Sequence, residues 1–230
     1  MATKTPSDFL QASDITGITF WLISMAVLGM AVFLFLERKA IKNFWRKPIT
    51  LLFVVSCISF AHYLYLRQSW VSTGSAPVLF RYIDWFLTAP ILIAQFYFIL
   101  SSTKRTSAAI LWRLVGGTFV MFFGQFLGES GYININPAFI IGMSGWIFVL
   151  YEIFAGEAGK EASRLSGDSA TCYMLCKWIV TVGWAVYPLG YLLANMAGST
   201  AEDSINIIYN LSDFVNKILF SFIVYKKAEI

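Results

Sequence analysis

The chain has 230 residues, of which 58% are hydrophobic, 17% aromatic and only 13% charged, with a mean hydropathy of +0.67. A soluble domain carries about 25% charged residues, so a water-soluble globule is excluded. The formal charge of +4 is read as membrane orientation rather than as affinity for nucleic acid.

Seven stretches are long enough to cross about 30 Å of hydrocarbon, which takes about 20 helical residues. They are predicted over 15–36, 49–68, 78–100, 108–128, 137–155, 173–197 and 204–225. Only short loops are left, so the expected fold is an all-α membrane protein, one seven-helix bundle spanning 1–230 with the lipid bilayer as its surroundings. Basic residues gather on one side: the loop ERKAIKNFWRK, then Lys104, Arg105 and Arg113, then Lys160, Arg164 and Lys177, then Lys226 and Lys227. The opposite loops, QSWVSTGSA, ESGYININ and GSTAEDS, hold almost none. The positive-inside rule then predicts the N-terminus outside and the C-terminus in the cytoplasm. Residues 1–13 lack the basic-then-apolar layout of a cleavable signal peptide. Cys57, Cys172 and Cys176 fall on predicted helices. Two thiols sharing a face without a nearby His make a poor metal site, so packing is expected and no metal. No Gly-rich phosphate loop and no HExxH pattern is present.

The third stretch, RYIDWFLTAPILIAQFYFIL (81–100), carries Arg81, Asp84, Thr88 and Gln95 among apolar residues. At about 100° per residue, Asp84, Thr88 and Gln95 share one helix face, with Asp84 and Gln95 ~16 Å apart along the axis. A polar stripe down a membrane helix suggests a path through the bundle interior. Pro90 removes one helical hydrogen bond near mid-membrane. In the seventh stretch Lys217 is the only cation between Ser204 and Tyr225, and a charge at that depth costs on the order of 3 kcal/mol. Asp213 stands one turn earlier on the same face. Desolvation favours the neutral, nucleophilic form of an amine, and such an amine condenses with aldehydes. Two anions and two cations neutralise one another only in a shared cluster between the third and seventh helices. A covalently held chromophore is therefore the first functional expectation.

The motifs RYxDWxLTxP (81–90), WAVYP (184–188) and DFVNK (213–217) resemble the microbial rhodopsins, and among them the proteorhodopsins. DITGITFWL (14–22), AHYLYLR (61–67), PAFIIG (137–142) and IYNLSDFVNKILF (208–220) extend the resemblance over nearly the whole chain. It implies all-trans retinal on Lys217 as a protonated Schiff base, with Asp84 as primary counterion and proton acceptor. Asp213 would be the second counterion and Arg81 the gate of the extracellular half. Trp85, Trp184, Tyr187 and Pro188 match the retinal pocket, where flat rings clamp a polyene by stacking and dispersion; Trp146 and Phe148 are added as further pocket-side residues. A lone histidine is more often a satisfied core residue, but the resemblance makes His62 the partner of Asp84. It also implies a pentamer or hexamer in which that His meets Trp21 of the next protomer. Leu92 occupies the colour-tuning position, with Leu going with green absorption. Phe139 stands where carotenoid-binding relatives have Gly, so no antenna carotenoid is expected.

Gln95 departs from the pattern, because proton-pumping relatives carry Glu there and an amide has no proton to give near neutral pH. Three readings follow: a proton pump refilled slowly from the cytoplasm through water, a slow light sensor, or a natural Glu replaced by Gln. Sodium and chloride pumps share the Gln but need other residues at 84 and 88, so the pair Asp84 and Thr88 speaks for protons. The expectation is a light-driven outward proton pump in a bacterial inner membrane, not an enzyme. A sensor that would need a transducer partner is the main rival. A G-protein-coupled receptor is a weaker one, since neither DRY nor NPxxY is found. Glu129, Glu202 and Asp203 are candidates for proton release and otherwise plain loop charges.

Overall fold

A computed structural model describes residues 10–103, 105–197 and 202–229. Five helices come first: α1 (Ile15–Glu37), α2 (Asn43–Thr73), α3 (Val78–Ser101), α4 (Ala108–Glu129) and α5 (Ile135–Phe154), followed by the short α6 (Glu157–Ala162). The sixth span is built from α7 (Gly167–Trp178), a π segment (Ile179–Gly183) and α8 (Val186–Ala197). The seventh consists of α9 (Glu202–Asp213), a second π segment (Phe214–Leu219) and α10 (Phe220–Glu229). Among the described residues, seven spans are long and apolar enough to cross a membrane. Helix is the expected answer in hydrocarbon, where each backbone N–H must find a partner within its own segment.

Several helices outrun the predicted spans. α2 covers 43–73 rather than 49–68, the sixth span begins at 167 rather than 173, and the seventh covers 202–229 rather than 204–225. The added turns hold charged and polar residues, which continue a helix into the interface without entering an apolar window. Capping also sets boundaries. Asp14 accepts the Gly17 N–H at 2.9 Å to start α1, and its other oxygen accepts Trp70 Nε1–H at 2.8 Å, tying α1 to α2.

The burial pattern is that of a protein dissolved in lipid. Trp112, Ile140 and Val182 are exposed on the outside, while Arg81, Asp84, Thr88, Gln95, Asp213 and Lys217 are buried within the bundle. α4 and α5 meet through glycines, as is common where membrane helices approach closely. A Cβ at Gly145 would stand 2.7 Å from the Gly117 carbonyl oxygen and 2.9 Å from Met121 Cα. Neither atom can rotate away, so Gly145→Ala is expected to force the helices apart and cost about 1–3 kcal/mol. A lowered thermal midpoint, followed by circular dichroism in detergent, checks this; an unchanged midpoint would show that the contact yields freely.

The two π segments face each other. Asn216 Nδ2–H donates to the Gly183 carbonyl at 3.1 Å, satisfying an oxygen at the irregular turn. A side chain at Gly183 would collide with Asn216 Oδ1. This contact fixes the turn that carries Lys217. The irregularity of the sixth span also sits earlier than a hinge at Pro188 suggests. The helix departs from α geometry over Ile179–Gly183 and resumes at Val186; Pro188 has no N–H for the Trp184 carbonyl four residues back, which accepts the Tyr187 N–H at 3.2 Å instead.

Candidate functional site

Lys217 Nζ contacts Asp84 Oδ2 and lies 2.8 Å from Asp213 Oδ2. All three residues are 98–99% buried. The third and seventh spans thus bring together the amine and both carboxylates, as the sequence requires. Arg81 completes the set of two cations and two anions, which is neutral overall and so avoids a net charge in low dielectric.

The two carboxylates are held differently. Asp213 accepts Tyr63 O–H at 2.7 Å, Tyr187 O–H at 2.7 Å and Trp85 Nε1–H at 3.1 Å besides the lysine. Asp84 accepts only Ser59 O–H, at 3.0 Å, besides the lysine. Protonating Asp213 would unmake more donor contacts than protonating Asp84, so Asp213 is the more firmly held anion of the two. Thr88 Oγ1–H donates to the Asp84 backbone carbonyl at 2.8 Å and steadies its turn.

Arg81 points away from the lysine. One guanidinium nitrogen donates to Asn206 Oδ1 and Asn210 Oδ1, each at 2.8 Å, and another reaches Tyr63 Oη at 3.4 Å. Aromatic rings from three spans pack together beside Asp213. Trp85 and Tyr187 are 4.5 Å apart between centroids, Phe122 lies 5.8 Å from Tyr187, and 6.2 Å from Trp184. Pro188 and Leu92 are buried. Trp146 Nε1–H reaches the Val180 carbonyl at 3.4 Å and joins α5 to the sixth span's π segment.

Two expectations change. His62 does not meet Asp84: its Nδ1 lies 3.0 Å from the Ile58 carbonyl, and Ser59 holds the carboxylate instead. Three residues further along α2 rotate the side chain some 60° off the Ser59 direction. Phe148 is no pocket residue, since it is 41% exposed and packs beside Gly117 on the outer face of α4 and α5. Phe139 stacks on Tyr191 with an interplanar angle of 8°. Trp21 is 44% exposed under the Arg67 guanidinium, 4.9 Å from its ring centroid.

Sequence reasoning missed Ser59, Tyr63, Asn206, Asn210, Asn216 and Phe122. Asn206 and Asn210 had a signal: 206, 210, 213 and 217 follow the 4-3-4 spacing of one helix face. Ser59, Tyr63 and Phe122 had none, because their role depends on how α2 and α4 are rotated. Gln95 is fully buried; Nε2–H donates to the Ile91 carbonyl at 3.2 Å and Oε1 has no hydrogen-bond partner.

The donor set fits a retinal held through Lys217. Converting the amine to an iminium would keep one positive charge, so both carboxylates would remain its counterions, with a single N–H left to donate. No cluster of His, Cys, Asp and Glu able to hold a metal is found among the described residues.

Comparison with known proteins agrees with this geometry. The profile of bacteriorhodopsin-like proteins matches residues 14–229. The blue-light absorbing proteorhodopsin of Gamma-proteobacterium Hot 75m4 is 40% identical over 221 residues, 95% of this chain and 88% of the relative. A green-light absorbing proteorhodopsin of Gamma-proteobacterium EBAC31A08 is 40% identical over 220 residues, with the same coverage. Among solved structures, the blue light-absorbing proteorhodopsin from Med12 superposes with a TM-score of 0.80 at 38% identity, over 94% of this chain and 98% of that one.

Proposed function

This chain belongs to the bacteriorhodopsin-like family, and from that premise we propose that it is a light-driven outward proton pump, multi-pass in a bacterial inner membrane. One observation carries the reading: a buried amine faces two carboxylates contributed by different spans. Lys217 would hold all-trans retinal, with Trp85, Trp184, Tyr187, Pro188, Leu92 and Trp146 around it. The N-terminus lies outside and the Lys226–Lys227 end lies in the cytoplasm, as the loop charges favour. Leu92 favours green absorption. A pentamer or hexamer is proposed, with Trp21 on its contact face.

Bound retinal supplies absorption of visible light and a light-driven change in the direction of the Nζ–H bond. The rest is the work of the chain. Lys217 Nζ gives its proton to Asp84 Oδ2, the atom it already contacts. Before the transfer the cluster holds Asp84⁻, Asp213⁻, Lys217⁺ and Arg81⁺; afterwards it holds Asp213⁻ and Arg81⁺ alone. Net charge stays at zero, so the step creates no unbalanced buried ion. Asp213, tied to Tyr63, Tyr187 and Trp85, keeps its place as the fixed anion. Net transport then needs Lys217 to be refilled from the cytoplasmic side. Gln95 cannot hold that proton, but its unpartnered Oε1 can accept a hydrogen bond from a water on the way. The irregular turn at Ile179–Gly183 gives the sixth span a place to flex.

Illuminated cells or vesicles of known sidedness test the reading. The medium on the N-terminal side should acidify, and an uncoupler should abolish the signal. Asp84→Asn should reduce transport to background while retaining a pigment, red-shifted by loss of the negative charge beside Nζ. A parent protein that takes up colour yet moves no protons would sink the pump and favour a sensor.

A further inference from the structure

The basic end of the bundle carries a cavity for which proton transfer has no use. Its volume is about 490 Å³, and it lies where α4 begins, α5 ends and α6 follows, walled by Arg113, Phe148, Tyr151, Glu152, Glu157 and Lys160. Its two halves differ in chemistry. Phe148 and Tyr151 are exposed on the outer face of α5, where a membrane-spanning helix meets lipid and where aromatic rings gather at the boundary. The other four residues are charged and stand near the ends of their helices, two cations against two anions.

These charges are not equivalent. Glu152 is buried and built into the corner between α5 and α6: its Oε1 accepts the Ala158 N–H at 3.1 Å, and its Oε2 lies against Gly156, where a Cβ would overlap it. Arg113 Nη1 lies 2.8 Å from Glu157 Oε2 and 3.8 Å from Glu152 Oε1. One nitrogen makes both contacts, so the N–H groups on the other two guanidinium nitrogens are left for a ligand. Lys160 is exposed, and its ammonium has no ion pair among the described residues. The four charges sum to zero. An anion drawn to Lys160 and Arg113 therefore meets the Glu157 carboxylate beside them, which repels it. A ligand that carries its own ammonium removes this conflict, because phosphate oxygens accept from Lys160 and Arg113 while the ammonium donates to Glu157. A small soluble zwitterion would leave the aromatic half unused, whereas a lipid covers both halves.

We propose that this cavity binds the head of phosphatidylethanolamine, a zwitterionic phospholipid with a primary ammonium. The phosphate sits on Lys160 and Arg113, the ammonium on Glu157, and the acyl chains run along Phe148 and Tyr151. A choline head has the same charges but no N–H to donate, and a glycerol head has no cation, so both bind less well. The occupant joins α4, the end of α5 and α6. The same corner bears on the sixth span, since Tyr173 O–H of α7 donates to the Ile153 carbonyl at 2.9 Å. The inference goes beyond the pump reading and stands without it.

Native mass spectrometry of the purified protein tests it, with phosphatidylethanolamine, phosphatidylcholine and phosphatidylglycerol of identical acyl chains supplied in turn. The ethanolamine lipid should be retained about 10-fold better than either of the others, the effect of one charge-assisted hydrogen bond. In a series of N-methylated heads, the drop should come at the last methyl group, which removes the final N–H. Glu157→Gln should bring the ethanolamine and choline heads level and strengthen retention of the glycerol head. Lys160→Gln should weaken all three about 10-fold, since it removes a phosphate partner common to them. Lys226→Gln, at the same end of the bundle but outside the cavity, should keep the parent pattern. Equal retention of the three lipids by the parent, an even loss across the methylated series, a preference that survives Glu157→Gln, or a loss in Lys226→Gln as large as in Lys160→Gln would overturn the site. Should either cavity variant fail to fold, the methylated series on the parent decides alone. Proton movement in illuminated vesicles decides the pump reading separately.

Discussion

Replacing Lys217 with methionine will leave the protein colourless in the presence of retinal and will destabilise the fold by about 3–5 kcal/mol, the cost of removing one partner from a buried ion pair. The loss of colour follows from the absence of any other buried lysine among the described residues. The loss of stability follows from charge. The parent cluster sums to zero, whereas Lys217→Met leaves Asp84 and Asp213 against Arg81 alone, one negative charge in excess. Adding Asp84→Asn restores neutrality, so the double variant is expected to recover a substantial part of the lost thermal midpoint while remaining colourless. The measurement is the midpoint of unfolding of retinal-free parent, single and double variants in one detergent. A coloured single variant would place the imine on another side chain. A double variant no more stable than the single one would mean that these four residues are not one electrostatic unit.

The bundle was legible in the sequence because hydrocarbon leaves the backbone so few options. Seven apolar runs were enough to draw it, and the helix ends were misplaced where polar residues carry a helix beyond the apolar window. The centre of the site was equally open, since Lys217 and Asp213 are one turn apart on one helix and Asp84 needs only the third and seventh spans to pack together. What depends on rotation about a helix axis was not legible. His62 and Ser59 are three residues apart on α2, and composition cannot say which of them turns toward Asp84. Phe148 and Trp146, two residues apart on α5, likewise divide between the lipid face and the interior. The π segments were hidden as well, because an extra residue in a turn leaves no pattern until Asn216 is seen beneath Gly183.

Gln95→Glu is expected to speed the return of a proton to Lys217 by at least about 10-fold above neutral pH, on the scale typical of a positioned acid–base group. On the proposed reading, the parent draws this proton from the cytoplasmic bulk. Its rate should therefore fall about 10-fold per pH unit, as for a step first order in protons, and rise with added azide, a small acid that carries protons through the open side. Glutamate has the shape of glutamine, and the site is already built to seal it: position 95 is fully buried on the same α3 face as Asp84, with one oxygen unpartnered. A carboxyl group there waits inside the protein, so the rate should become independent of bulk pH until the new acid itself is emptied, and azide should lose its effect. Time-resolved absorption across pH, with and without azide, separates the two patterns. Continuous-light transport adds a second test. A rise in steady proton flux in the variant would show that refilling limits turnover in the parent, as a pump lacking its donor requires. A parent whose return is already fast and flat with pH would reveal another internal donor and remove Gln95 as the cause of slowness.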